Sequence, residues 1–167
     1  MSPALRLPAR IVLAYLAISG ALVGLWAGLA PRSFYDDFPG LGRVWVAVDG
    51  PYNEHLVRDV GWLNLALTVA TVWAAVTLTR GLVIAVLAAW LVTGLAHLLY
   101  HVANPSGLGT GDRVAELASL AVAPVLAGVL LVLVALDGSR AGSRAGSRAT
   151  GDRRWADGRG SPSSGGR

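Results

Sequence analysis

Two histidines four residues apart, His97 and His101, close an apolar run that begins near Gly81. On a helix that spacing puts both imidazoles on one face. Further on, Asp112, Glu116 and Ser119 fall at i, i+4 and i+7 where another apolar run begins. Imidazoles facing a carboxylate in an apolar setting can do three things. They can hold a divalent metal or a haem iron, with His97, His101 and His55 as the candidate metal ligands. They can pass a proton, as a quinone-type site requires. Or they can simply hydrogen-bond, His97 to Glu116, and hold two helices in register while His101 lies at the membrane interface. Asp59 and Asn64 start a further apolar run. The candidate ligand or proton site is therefore His97, His101, Glu116, Asp112, Asn64 and Asp59.

Other chemistries are excluded. There is no cysteine, hence no disulfide, zinc–thiolate site or thiol redox step. No nucleophile–base–orienter set, phosphate loop or dinucleotide fingerprint appears. No catalytic residue is assigned, and enzymatic activity is not expected.

Four long apolar runs must position these groups. Charged residues make up 14% of the 167 residues, against about 25% in a soluble domain, and they crowd into 32–59 and 137–167. The stretch from Ile11 to Ala30 carries no charge and is long enough to cross the hydrocarbon core as a helix. Pro31, directly after Ala30, argues against signal-peptide cleavage there. Gly20, Gly24 and Gly28 make a groove for close helix approach, here a candidate face for homo-oligomers. Residues 31–53 form an external loop whose aromatics alternate with charges, a composition suited to lipid headgroups. In it Ser33 is expected to cap a short helical turn ended by Pro39 and Gly40, and Asp49-Gly50-Pro51 is a turn.

Asn53 is expected to cap a helix over 54–79. Gly61, Asn64, Thr68 and Thr71 lie along one side of it, facing a neighbouring helix. Arg80-Gly81 leads into the next helix, 82–102, which carries Trp90, Gly94, His97 and His101 on one face and ends at Asn104-Pro105-Ser106-Gly107. Asp112 is expected to cap the last, 113–136, which Pro124 interrupts by freeing the carbonyl of Leu120. The fold class is thus all-α: an antiparallel four-helix integral membrane bundle over 1–136, with lipid as its partner. From 137 to 167 the chain is Gly-, Ser- and Arg-rich, with Gly-Ser-Arg-Ala three times in succession from Gly138. It has no apolar face and is expected to be a disordered cytoplasmic tail. The high pI of about 10.3 is mostly this tail, so no nucleic-acid partner is inferred.

Topology follows from arginine, the sole basic residue type besides histidine. With both termini in the cytoplasm, Arg6, Arg10, Arg80 and the seven tail arginines lie inside, and Arg32, Arg43, Arg58 and Arg113 outside. That is the favoured bias for a multi-pass protein of the cell membrane. His97, His101, Asp112, Glu116, Asp59, Asn64 and His55 then gather at the outer end, as a pocket opening outward would require.

Three stretches, Pro31–Pro39 (PRSFYDDFP), Asp49–Gly61 (DGPYNEHLVRDVG) and His97–His101 (HLLYH), resemble a group of small four-helix membrane proteins of high-GC bacteria. The four-span plan and the Arg58-Asp59-Val60-Gly61 helix start are loosely similar to the DoxX-like superfamily. The resemblance implies an envelope protein and carries over no catalytic residue. Three readings of function stay open. One is a structural or interaction protein of the envelope that needs no cofactor. Another is a redox or proton site at His97, His101 and Glu116 that takes haem, a divalent metal or a quinone. The last is a small transporter acting as an oligomer.

Overall fold

The computed structural model describes the backbone of residues 1–105 and 107–158, and side chains as far as Ser139. Helices dominate: α1 (Pro3–Leu29), α2 (Pro31–Asp37), α3 (Glu54–Thr77), α4 (Arg80–Ala103) and α5 (Thr110–Gly158). Between α2 and α3 lie two-residue strands, β1 (Pro39–Gly40) and β2 (Arg43–Val44), paired antiparallel. Four of the helices are long and apolar enough to cross a membrane: α1, α3, α4 and the Thr110–Ser139 part of α5.

The helix ends follow local chemistry, with some shifts from the sequence reading. Asn53 caps α3 as expected, its Oδ1 accepting from the Leu56 amide at 3.1 Å. Helix α1 begins eight residues earlier than expected, because Pro3 is well placed in a first turn. The α3–α4 link is Leu78-Thr79, not Arg80-Gly81, and Leu78 closes α3 in the left-handed region at φ 50°. Helix α5 starts at Thr110, so Asp112 sits inside the first turn instead of capping it. Ser33 is no cap either. Its hydroxyl donates to Asp37 at 3.0 Å and faces the Trp26 indole N–H.

Helix α5 runs past Asp137, where the tail was expected to begin, as far as Gly158. Residues 159–167 and Ser106 lie outside the described residues.

Two sequential pairs build the bundle. Helices α1 and α3 meet along the glycines. The Gly61 Cα faces the Gly28 backbone so closely that an added Cβ would overlap it, and a Cβ at Gly24 would sit 2.7 Å from Leu65 Cγ. Gly20, Gly24 and Gly28 are all buried. This groove is filled by the chain's own α3. Helices α4 and α5 meet where Pro124 packs on Gly94, whose added Cβ would come within 2.9 Å of the proline ring.

The two pairs join at one end only. Their common core is Leu13 and Leu16 of α1, Ala74 of α3, Val83, Val86, Leu87 and Trp90 of α4, and Ala127, Leu130 and Val134 of α5. All of these lie in the half of the bundle nearest the N-terminus. There the Ser2 amide also donates to Asp137 at 2.9 Å. At the other end the pairs stand apart, and loop 31–53 covers the gap.

Candidate functional site

The gap is a cavity of about 460 Å³, within the range of small-molecule sites. Trp90 is its floor. The indole packs over Gly20 and its N–H donates to Thr71 Oγ1 at 2.9 Å. Phe34, Phe38, Trp45 and Val46 form the lid, while Tyr15, Val23, Val60 and Leu120 add apolar wall. The lid holds together by aromatic packing, with Phe34 and Phe38 4.7 Å apart and each edge-on to Trp26 at 5.9 Å. Polar groups enter the cavity from several elements: Asp49 from the loop, Asn64 from α3, Thr93, His97 and His101 from α4, Glu116 and Ser119 from α5.

His101, not His97, meets Glu116. Its Nδ1 lies 3.1 Å from Glu116 Oε1, with side chains 10% and 3% exposed. One turn back, His97 Nε2 stands 3.1 Å from His101 Nε2. The expected His97–Glu116 pair is therefore corrected to a chain, His97–His101–Glu116. His101 is buried, not interfacial. The reason is register: α5 packs on α4 through Gly94 and Pro124, and two turns from that contact the face holds His101. Arg113 strengthens it by donating to the His101 carbonyl at 2.8 Å, as cations do at a helix C-terminus.

The chain is incompletely satisfied. His101 Nδ1 lies within reach of Glu116 Oε1 but off the line of a good hydrogen bond. Among the described residues, buried Glu116 Oε2 has no partner, nor has Arg113 Nη1. Unpartnered buried polar atoms cost roughly 1–3 kcal/mol each, so they mark where a ligand or water fits.

The remaining sequence candidates divide. Asn64 lines the cavity, and its amide donates to the Val60 carbonyl at 2.9 Å. Asp112 is a strap: its Oδ1 takes Arg43 at 2.8 Å and the Trp45 indole at 3.4 Å, tying the lid to α5. His55 and Asp59 pair with each other at 3.4 Å on the outer surface of α3, with His55 88% exposed, and neither lines the cavity. The set His97, His101 and His55 is thus not assembled. Among the described residues no three His, Asp or Glu side chains converge to hold a metal ion.

Asp49 is the residue that sequence reasoning missed. Read there only as part of a turn, it stands with Oδ2 3.8 Å from His101 Nδ1. The Tyr35 hydroxyl positions that turn by donating to the Gly50 carbonyl, with Ala47 O at 3.4 Å. Tyr35 is held in turn against Tyr52 at 5.2 Å, with the Arg32 guanidinium over both rings. The hydrogen bond from Arg32 to Asp36 raises the guanidinium pKa further above its ordinary value. An acid flanked by aromatics ahead of a Gly-Pro turn was the one available signal.

Four apolar spans around a partly polar cavity define a multi-pass helical membrane protein. Beyond that class, the chain matches no protein-family model, no curated protein and no solved structure.

Proposed function

We propose that the protein binds a small, flat, lipid-soluble molecule of the quinone class in this cavity, and that His97, His101 and Glu116 hydrogen-bond its oxygen atoms and move its protons. The observation that carries the reading is a buried Glu116 oxygen without a partner among the described residues, on a side chain that lines a mostly apolar cavity of about 460 Å³. The wall offers ring stacking through Trp90 and Trp45, and the polar end offers proton exchange. One protonation pattern connects the groups. Ionised Glu116 receives the His101 Nδ1–H, and His101 Nε2 accepts from His97 Nε2–H. The second nitrogen of His97 is then left basic toward the ligand. A hydroquinone proton taken there moves along both imidazoles to Glu116, each ring gaining a proton at one nitrogen as it gives one up from the other.

Localisation in the cell membrane with both termini cytoplasmic belongs to the same proposal, supported by the arginine bias. The cavity then faces the outer leaflet. The similarity to DoxX-like envelope proteins is in keeping with this and rests on the sequence motifs alone.

The test is fluorescence titration in nanodiscs with a short-chain benzoquinone, read by quenching of the cavity tryptophans. Saturable quenching is expected. It should weaken in E116Q and in H97A, and disappear in Ala123→Phe, which fills the cavity. Equal quenching in all four proteins would overturn the reading.

A second reading is an envelope protein whose polar groups only brace the bundle. The Arg113 bond to the His101 carbonyl and the Arg43–Asp112 strap favour it. Metal or haem binding through the His97–His101 pair is tested on the same purified sample, by metal analysis and an absorbance spectrum.

A further inference from the structure

Asp49 belongs to two cavities at once. Beside the main one lies a shallow surface pocket of about 150 Å³ that includes Tyr35, Asp49 and Gly50. Val46, Asp49, Leu56 and Val57 appear in both walls, so these four side chains are the partition between the buried space and solvent. Three of them are aliphatic and have no exchangeable proton. Asp49 is the polar member, 27% exposed on the side-chain measure, and its carboxylate reaches to 3.8 Å from His101 Nδ1. That is the same nitrogen that faces Glu116 at 3.1 Å. A group that sees water on one side and a buried imidazole on the other has the placement of a proton outlet.

We propose that Asp49 is the exchange point through which the His97–His101–Glu116 chain gains and loses protons to water at the loop face. The proposal rests on the proton-handling reading of the site and adds its route. A proton leaves Glu116 or the His101 Nδ1 position, passes to the Asp49 carboxylate directly or through one water, and enters solvent from the surface pocket. Reversal reloads the chain. No oxidant or reductant is needed for this leg. The groups around His101 are His97 on α4, Glu116 and Arg113 on α5, and Asp49 on the loop. The α3 wall contributes uncharged Asn64, and the α1 wall contributes Tyr15. Asp49 is thus the acidic group bridging this set to the surface pocket among the described residues. The Tyr35 bond to Gly50 fixes its turn, which makes Asp49 a built part of the wall and not a passing surface charge.

The test needs no quinone. The full chain in nanodiscs is taken through a rapid pH change, and protonation of the buried carboxyl is followed by its infrared C=O stretch, assigned by its loss in E116Q. In D49N the response should slow about a hundredfold, the lower end of what a positioned proton-transfer group contributes. D49E should restore it. Leu56→Trp, which plugs the surface pocket without touching the acid, should also slow it. Tryptophan fluorescence checks that each variant is folded. Equal rates in wild type, D49N and Leu56→Trp would overturn the outlet. Normal quinone titration in those same variants would leave the binding site standing, whereas loss of quinone binding with a slowed D49N response would overturn only the ligand.

Discussion

The His101–Glu116 contact can be measured by a double-mutant cycle, and its size reports what the pair is. Consider His101→Leu, Glu116→Met and the two together. Each single variant strands a buried polar group: Glu116, 3% exposed, or His101. The cost of such a group is about 1–3 kcal/mol, limited in the case of Glu116 because a carboxyl can take up a proton instead of staying charged. The double variant strands neither and should sit near wild type, as replaced buried pairs often do. For the coupling energy two magnitudes compete. A full ion pair 3.1 Å apart at an effective dielectric of 20 would couple by at most about 5 kcal/mol. A hydrogen-bonded neutral pair in a membrane bundle averages about 0.6 and reaches about 1.7 kcal/mol. The contact is off-line and leaves Glu116 Oε2 free, so the expected coupling is about 1 kcal/mol, well short of a full ion pair. The assay is reversible unfolding in mixed micelles, followed by tryptophan fluorescence. Zero coupling for His101–Glu116, or a larger value in the matched His97–Glu116 cycle, would refute the pairing described here.

Other perturbations test the frame around the site. Gly61→Ala should cost about 1–3 kcal/mol by overpacking, since its Cβ would enter the Gly28 backbone; the same thermal scan with Gly81→Ala, where an added Cβ meets nothing, should show no such loss. Thr71→Val strands the buried Trp90 N–H and should cost about 1–3 kcal/mol, with a shift in tryptophan emission; an unchanged melting temperature would remove Trp90 as the anchored floor. Arg43→Ala breaks a strap that is 45% and 39% exposed and should cost at most about 1 kcal/mol, yet it should speed ligand association in stopped flow. A cysteine at Asn104 should label from outside in intact cells; labelling only after permeabilisation would invert the proposed orientation.

How much of this was written in the sequence depends on the distance over which each feature is decided. Apolar length placed the four spans, and Asn53 placed one helix start, because both are local. The face of α3 was legible too: Gly61, Thr68 and Thr71 are buried as their small size implied. Which histidine meets Glu116 was not legible. Spacing puts His97 and His101 on one face, but only the Gly94–Pro124 contact sets the register between α4 and α5. The glycine groove was recognised and its occupant was not, since a close-approach face is the same for a second copy or for the next helix. Asp49 stayed hidden because a turn residue gains a role only from what lies beneath the turn.

The pairing of consecutive spans also bears on how such a protein is made. Helices α1 and α3 precede α4 in the chain and share their own glycine seam. Helices α4 and α5 follow as a second hairpin, already holding His97, His101, Glu116 and Arg113. The lid and Asp49 reside in the first hairpin. Neither half owns a cavity; it comes into being only when the second hairpin docks against the first through the core at the N-terminal end. The Leu78-Thr79 link is too short to let the hairpins part far, so docking in the same chain is favoured over exchange with a neighbour. Severed at that link, the two halves co-expressed in one membrane would have to find each other before a site existed, which makes ligand binding itself a reporter of assembly.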